Sequence, residues 1–202
     1  MKKMPSAEVI LCADQVTALF GSTDAVKILL WIFHKTYVPQ KGICPEGLRG
    51  VFQKQRYLTA DNLRELAEWK MFGRAGLARR MSALIARNGN RVQDVTAQVV
   101  RAIEARSEPS KLVKLAAQLE GVRLSMASTI LAAWSDDFPI VDPRSWKALN
   151  WITGQEYFAR FRRDDYNSYD PYLQIVSQCA RGLKVTPREL DKALFVVGRS
   201  RP

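Results

Sequence analysis

A glycine turn and a later aspartate are the residues of this chain whose types and spacing suggest chemistry. The turn lies within Leu119–Ser128, and Asp142 follows in the proline-flanked segment Phe138–Arg144. A turn of this kind exposes backbone N–H groups near a helix start, where phosphate oxygens bind without any base being read. A carboxylate held nearby can stabilise positive charge that develops on a substrate, and can orient or deprotonate a water. The pattern predicts an anion-binding turn beside one fixed carboxylate.

Helices must position both features, because apolar residues recur at helical spacing along most of the chain. A helix is predicted for Lys111–Leu119, a turn for Glu120–Arg123 and a second helix for Leu124–Trp134. The apolar segment Val26–Phe33 predicts a buried helix, and Thr186–Glu189 is a capping box that begins a last helix. No alternating strand pattern is present, so we predict an all-α fold.

We expect one domain, residues 1–202, built as a two-lobed helical bundle with a cleft between the lobes. Lobe A is predicted to combine about 1–55 with 150–202, and lobe B to span about 56–149, including the hairpin at 111–134. Asp142 is expected to face the cleft.

Composition and charge narrow the class of protein. The chain has 202 residues and 47% hydrophobic content, enough for a sizeable core. Lys and Arg number 31 against 20 Asp and Glu, so the formal charge is +11. This excess is spread along the chain and suits a polyanionic partner such as nucleic acid, although a merely basic protein is the plain alternative.

The cysteines and the single histidine argue against several kinds of site. Cys12, Cys44 and Cys179 are far apart and odd in number, which supports neither a disulfide framework nor a metal or iron–sulfur site, so no cofactor is expected. His34 alone cannot supply the usual parts of a Ser-His-Asp or zinc hydrolase. Without a secretory signal or a membrane-length apolar run, we expect a cytoplasmic monomer that does not contact membranes.

The hairpin and the aspartate together resemble the helix-hairpin-helix DNA glycosylase superfamily. Members carry a turn of pattern L-P-G-V-G-x-x-x-A and then a loop that ends in an essential aspartate. The matching positions here are Leu119, Gly121, Val122, Ala127 and Val141-Asp142. Weaker likenesses to poorly characterised relatives lie in Leu58–Lys70, which ends in Trp-Lys, and in Leu190–Leu194. The resemblance implies that the protein binds duplex DNA with a flipped base.

The resemblance also implies roles for individual residues. Asp142 would be catalytic, and the DNA contacts would come from Gly121, Val122, Arg123 and Ser125. Glu120 replaces the proline of the pattern and Arg123 replaces its second glycine, which alters the phosphate site. Relatives that also cut the strand use a lysine in the second hairpin helix, where Ser125 cannot form the required Schiff base. The implied activity is excision of a damaged, mispaired or modified base by water, without strand cleavage, in repair or in defence against modified foreign DNA.

A base-excising enzyme flips the base out of the duplex and stacks it against aromatic or apolar groups. The candidates for the cleft or pocket are Trp69, Lys70, Tyr57 and Trp31. Lys70 is also a candidate to replace the missing hairpin lysine, although a lysine at a helix end is more often solvated. Two arginine clusters are candidates for phosphate contacts or plain solvated faces: Arg74, Arg79, Arg80 and Arg87, and Arg160, Arg162 and Arg163.

Simpler interpretations stand beside the enzymatic one. Asp142 precedes Pro143 and is therefore a good helix N-cap, a role that needs no catalysis. A catalytically silent relative that binds DNA through the hairpin is the main alternative function. A helical interaction protein whose hairpin is only a turn is the third.

Overall fold

The computed structural model describes residues 44–72, 75–153 and 161–199. The predicted helix Val26–Phe33, with Trp31 and the neighbouring His34, lies outside them. The described α-helices are α1 (Pro45–Gln55), α2 (Ala60–Lys70), α3 (Ala75–Ala86), α4 (Arg91–Glu104), α5 (Pro109–Ala116), α6 (Leu124–Trp134), α7 (Pro143–Thr153), α8 (Tyr169–Leu183) and α9 (Pro187–Arg199), with a short 3₁₀ turn at Tyr166–Ser168. No strand occurs in these ranges, and the all-α prediction is confirmed. None of the described helices is both long and apolar enough to span a membrane.

Helix α6 forms the centre of the core. Leu124 and every residue of Met126–Ala133 are buried, the pattern of a helix enclosed on all sides. Helices α1, α2 and α5 pack against it. The predicted bounds of this helix are confirmed. The division into lobes with a cleft between them stays a prediction.

The turn before α6 depends on one glycine. Gly121 has a φ of +82°, a left-handed conformation that side-chain-bearing residues rarely adopt. A Cβ at this position would lie 2.9 Å from the Cβ of Leu84, so α3 also packs too closely for any other residue. The preceding helix α5 ends at Ala116 and not at the predicted Leu119, because the N–H groups of Gln118 and Leu119 bond three residues back and tighten the chain into a turn.

Helix α9 closes the described bundle against α7 and α8. The predicted capping box is confirmed: the Thr186 N–H donates to Glu189 Oε2 at 2.8 Å, and the Glu189 N–H donates to Thr186 Oγ1 at 3.2 Å. Near the other end of α9, a Cβ on Gly198 would lie 2.2 Å from the backbone oxygen of Arg144. The backbones of α7 and α9 are therefore so close that position 198 has no room for a side chain.

Replacing Gly198 with alanine tests this close approach. Alanine normally favours a helix over glycine by up to about 1 kcal/mol, but here its methyl group meets backbone that cannot swing away. We expect Gly198→Ala to lower the free energy of unfolding by about 1–3 kcal/mol in urea titrations. Gly50→Ala on α1 is the matched control, because a Cβ there meets nothing within 4 Å. Equal stabilisation of both variants would contradict the packing of α7 on α9.

Candidate functional site

Asp142 is the N-cap of α7. Its Oδ1 accepts the N–H of Arg144 at 2.8 Å and that of Ser145 at 2.9 Å, and lies 3.3 Å from Ser145 Oγ. Pro143 is the first residue of the helix, where its missing N–H leaves no bond unmade. The predicted capping role is confirmed. Because the cap uses Oδ1, it fixes the direction in which Oδ2 points.

The Oδ2 atom of Asp142 faces Lys70, the last residue of α2. Lys70 Nζ lies 3.5 Å from Oδ2, and only 12% of the lysine side chain and 10% of the aspartate side chain are exposed. The expectation that a lysine at this helix end is solvated is therefore wrong. Burial lowers the pKa of Lys70 below that of an ordinary lysine, although Asp142 and Asp191 raise it. The amine therefore holds its proton less tightly than a surface lysine.

A buried ion pair on α9 lies behind Asp142. Arg188 Nη1 donates to Asp191 Oδ2, which also accepts the N–H of Ile140 at 3.0 Å. Ser145 Oγ lies 3.2 Å from Asp191 Oδ1 and 3.3 Å from Asp142 Oδ1, so it connects the two carboxylates. Burial raises the pKa of Asp191, and Arg188 opposes this. The α7 cap and the α9 ion pair thus form one polar layer.

Glu46 extends this layer to α1. Its Oε1 accepts from Arg188 Nε at 3.0 Å and pairs with Lys192 Nζ at 2.8 Å. Burial alone would raise the pKa of Glu46, but Arg188 and Lys192 outweigh it and lower the pKa to about 2. The carboxylate is therefore charged at neutral pH and accepts a hydrogen bond from Arg188.

The segment that carries Asp142 is held by the hairpin helix. Ser125 Oγ donates to the backbone oxygen of Val141 at 2.7 Å, and the N–H of Val141 donates to Ser128 Oγ at 3.2 Å. From the other side, the Tyr169 hydroxyl donates to the oxygen of Pro139 at 2.9 Å. The start of α6 therefore positions Asp142 directly, and the Ser125 hydroxyl donates within the protein.

The structure brings two of the four predicted pocket residues to Asp142. Trp69 is buried against Ile140, with the Arg188 guanidinium 5.7 Å from its ring centroid. Its Nε1 is buried without a hydrogen-bond partner in the part of the chain that the structure describes. Lys70 forms the ion pair with Asp142. Tyr57 precedes the opposite end of α2, a helix about 16 Å long, and Trp31 lies outside the described residues.

Some N–H groups of the hairpin turn form hydrogen bonds within the protein. The N–H of Glu120 donates to Asn88 Oδ1 at 2.8 Å, that of Val122 to the Leu119 oxygen at 3.0 Å and that of Leu124 to the Arg163 oxygen at 3.0 Å. Val122 is also buried. Bonds among the described residues leave the N–H groups of Gly121, Arg123 and Ser125 without an acceptor. These three are the donors that the turn offers to an anion.

Basic side chains surround the turn. Arg123, Arg162 and Arg163 are exposed, and the bond from Leu124 to Arg163 places part of the second arginine cluster beside the hairpin. The carboxylate of Glu120 pairs with Arg87 at 3.2 Å, which offsets its charge near the turn. Arg79 and Arg80 are exposed on α3. Asp164 and Asp165, also exposed, follow Arg163 and limit the net charge there. Arg74 and Arg160 fall outside the described ranges.

Sequence reasoning missed four residues of the site: Glu46, Ser145, Arg188 and Asp191. One local signal was available, because Arg188 and Asp191 lie three residues apart and so share a face of α9. That spacing alone does not distinguish a buried pair from an exposed one. As for metals, no group of three His, Cys, Asp or Glu side chains comes together among the described residues.

Comparisons of the chain with models of protein families, with curated proteins and with solved structures each found no match.

The ion pairs of Glu46 predict how stability depends on pH. An ordinary glutamate titrates near 4.5, and Glu46 titrates near 2 in the folded chain. The contribution of the Glu46 ion pairs to the free energy of unfolding is therefore fully present above pH 4.5 and is lost as the pH falls towards 2. We expect Glu46→Gln to lower the free energy of unfolding by about 1–3 kcal/mol at pH 7 and to flatten the loss in this acid window.

Urea unfolding at several pH values measures both effects. Glu68→Gln, exposed on α2, is the control and should behave as the unchanged protein does. Parallel pH profiles for the Glu46 variant and the unchanged protein would contradict the charge pairing with Arg188.

Proposed function

We propose that this protein is a DNA N-glycosylase, which hydrolyses the bond between the sugar and a damaged, mispaired or modified base. The observation that carries this proposal is that the two carboxylate oxygens of Asp142 have different partners. Oδ1 is fixed by the helix cap, while Oδ2 takes no part in the cap and faces Lys70. As the base departs, C1′ of the sugar becomes cationic, and a rigid carboxylate beside it stabilises that charge. The same oxygen can accept the proton of the attacking water.

The hairpin supports DNA as the partner. The free N–H groups of Gly121, Arg123 and Ser125 can bind a phosphate at the start of α6, with exposed arginine side chains beside them. Ser125 is bonded to Val141, the residue before Asp142. A phosphate bound at the turn would therefore bring the sugar–phosphate backbone close to the carboxylate. The formal charge of +11 favours the same partner.

The excision is proposed to be hydrolytic. Ser125 occupies the position at which strand-cutting relatives carry a lysine, and its hydroxyl donates to the Val141 oxygen. A serine cannot form the imine that β-elimination requires. Water is therefore the proposed nucleophile, and an intact abasic strand is the proposed product. Repair of the host genome and defence against modified foreign DNA would use the same step.

DNA binding without catalysis is the second candidate function. One observation favours it: the helix cap and the ion pair with Lys70 together give both oxygens of Asp142 a protein partner. In that case the carboxylate would serve the fold and the hairpin alone would serve the function.

Asp142→Asn separates the two functions. Asparagine caps a helix as well as aspartate does, so the fold and the DNA affinity should persist while the anion is lost. Duplexes that carry uracil, hypoxanthine, 8-oxoguanine, alkylated bases or modified cytosines are incubated with protein and then heated in alkali. We expect alkali-dependent breaks with the unchanged protein and a rate lower by roughly 10²–10⁴ with the variant. Asp137→Asn, at an exposed acid, is the control.

The DNA affinity is measured in parallel at several salt concentrations. Steeply salt-dependent binding without breaks at any base would favour the silent DNA-binding protein and count against the glycosylase. An absence of salt-dependent binding would contradict both functions.

The hydrolytic route makes a separate prediction about the strand. Without alkali or an added lyase, the strand should stay whole after excision, because no amine forms a covalent link to the sugar. Treatment of the reaction with borohydride should give no protein–DNA adduct on a denaturing gel. A trapped adduct would show an amine nucleophile and overturn the hydrolytic route.

A further inference from the structure

The site contains one negative and one positive side chain, and the proposed excision develops one positive and one negative charge that they could stabilise. Asp142 Oδ2 and Lys70 Nζ lie 3.5 Å apart, and both side chains are about nine-tenths out of water. Cleavage of an N-glycosidic bond also separates charge, because the sugar becomes cationic and a neutral base leaves with the bonding electrons as an anion. A carboxylate stabilises only the sugar half of this transition state.

The helix cap does not involve Lys70. The cap needs only Oδ1, which has its own donors in Arg144 and Ser145. An ammonium beside Oδ2 weakens the pull of the carboxylate on a sugar cation, since it partly cancels the negative charge. In a site that served the cation alone, Lys70 would therefore slow the reaction. It assists the reaction if it acts on the departing base.

We infer that Lys70 is the general acid that protonates the leaving base, while Asp142 is the general base for water. This inference rests on the proposed glycosylase function and deepens it. It also defines a substrate class: bases that are neutral in DNA and must gain a proton as they leave. A base that already carries a positive charge, such as 7-methylguanine, departs as a neutral molecule and does not need Lys70.

The protons and electrons of the cycle balance. The C1′–N bond breaks, its electron pair goes to the base nitrogen, and the Lys70 ammonium gives that nitrogen a proton. Water forms the new C1′–O bond and gives a proton to Asp142. The carboxylic acid then returns that proton to the neutral Lys70 amine across their direct contact. One water is consumed, and nothing is oxidised or reduced.

The surroundings of Lys70 make its ammonium group a stronger acid than that of a surface lysine, because they lower its pKa. Burial and Arg188 weaken its hold on the proton, whereas Asp142 and Asp191 keep part of that hold. Buried lysines shift their pKa readily, which makes them usable in proton transfer. Arginine at the same position would supply charge but would not release a proton.

The test compares excision rates of the unchanged protein, Lys70→Met, Lys70→Arg and Lys54→Met across a range of pH. Lys54 is an exposed lysine on α1 and serves as the control. The probes are duplexes with uracil, hypoxanthine or 8-oxoguanine, which are neutral bases, and duplexes with 7-methylguanine. Rates are measured with protein in excess, and DNA affinity is measured separately.

With neutral bases, both Lys70 variants should lose about 10²-fold or more in rate at unchanged DNA affinity. With 7-methylguanine, neither Lys70 variant should be slower than the unchanged protein, whereas Asp142→Asn should slow both kinds of probe. For neutral bases, the rate of the unchanged protein should fall as the pH rises and Lys70 loses its proton. This last measurement needs no variant and so does not depend on the variants folding.

Other results would overturn the inference. Equal losses on neutral and cationic bases would indicate a structural role, and a rate that does not fall towards alkaline pH would contradict an acid. A borohydride-trapped adduct that is lost in Lys70→Met would make Lys70 a nucleophile. If the unchanged protein excises no probe at all, the proposed function fails and the inference falls with it. Excision that does not respond to Lys70 overturns the inference alone.

Discussion

A charge that is removed from water must be paired, and the rest of this structure depends on how that demand is met around Asp142. The polar layer contains, in order of contact, Lys70, Asp142, Ser145, Asp191, Arg188 and Glu46. These residues come from α1 and α2 near the start of the described chain and from α7 and α9 near its end. Each charge compensates the next, so the layer stabilises the packing of the helices that contribute to it. Removal of a fully buried partner such as Asp191 would leave another charge buried and unpaired, which typically destabilises a protein by about 3–5 kcal/mol. The fold and the candidate site are therefore stabilised by the same bonds.

The hairpin and the aspartate are also parts of one arrangement. Helix α6 offers free N–H groups at its start, and through Ser125 and Ser128 it holds the backbone of Val141. Because α6 is buried on all sides, it cannot shift without disturbing the core. The left-handed turn at Gly121 rests against α3, which fixes the approach to the helix. An anion bound at the turn and the carboxylate of Asp142 would thus share a rigid frame, which is the condition for electrostatic preorganisation.

Local signals in the sequence were enough for the helices and their caps. The bounds of α6, the capping box of α9 and the N-cap at Asp142 each depend on residues within a few positions of one another. The contacts of the site depend instead on residues that are far apart in the sequence. Lys70 reaches Asp142, and Ser145 reaches Asp191, only after distant helices have packed, and an unaligned sequence carries no local periodicity that reports such pairs. Tyr57 and Lys70 lie close in sequence and were expected to share a pocket, but the length of α2 separates them. The end of α5 was misplaced for another reason: the apolar spacing continues to Leu119 while the backbone has already turned.

Aspartate at position 142 could serve two structural roles, as the cap of α7 and as the charge partner of Lys70. A cap alone does not require this residue, because serine, threonine and asparagine satisfy the same N–H groups. Only aspartate combines a side chain short enough to cap α7 with a second, charged oxygen. That oxygen faces a lysine whose burial is unfavourable unless an anion compensates it. Serine or asparagine at this position would keep the helix and leave Lys70 uncompensated. The pairing with Lys70, and not the cap, is therefore the feature that requires a charged residue at position 142, and Oδ2 is the atom on which the proposed enzymatic function would depend.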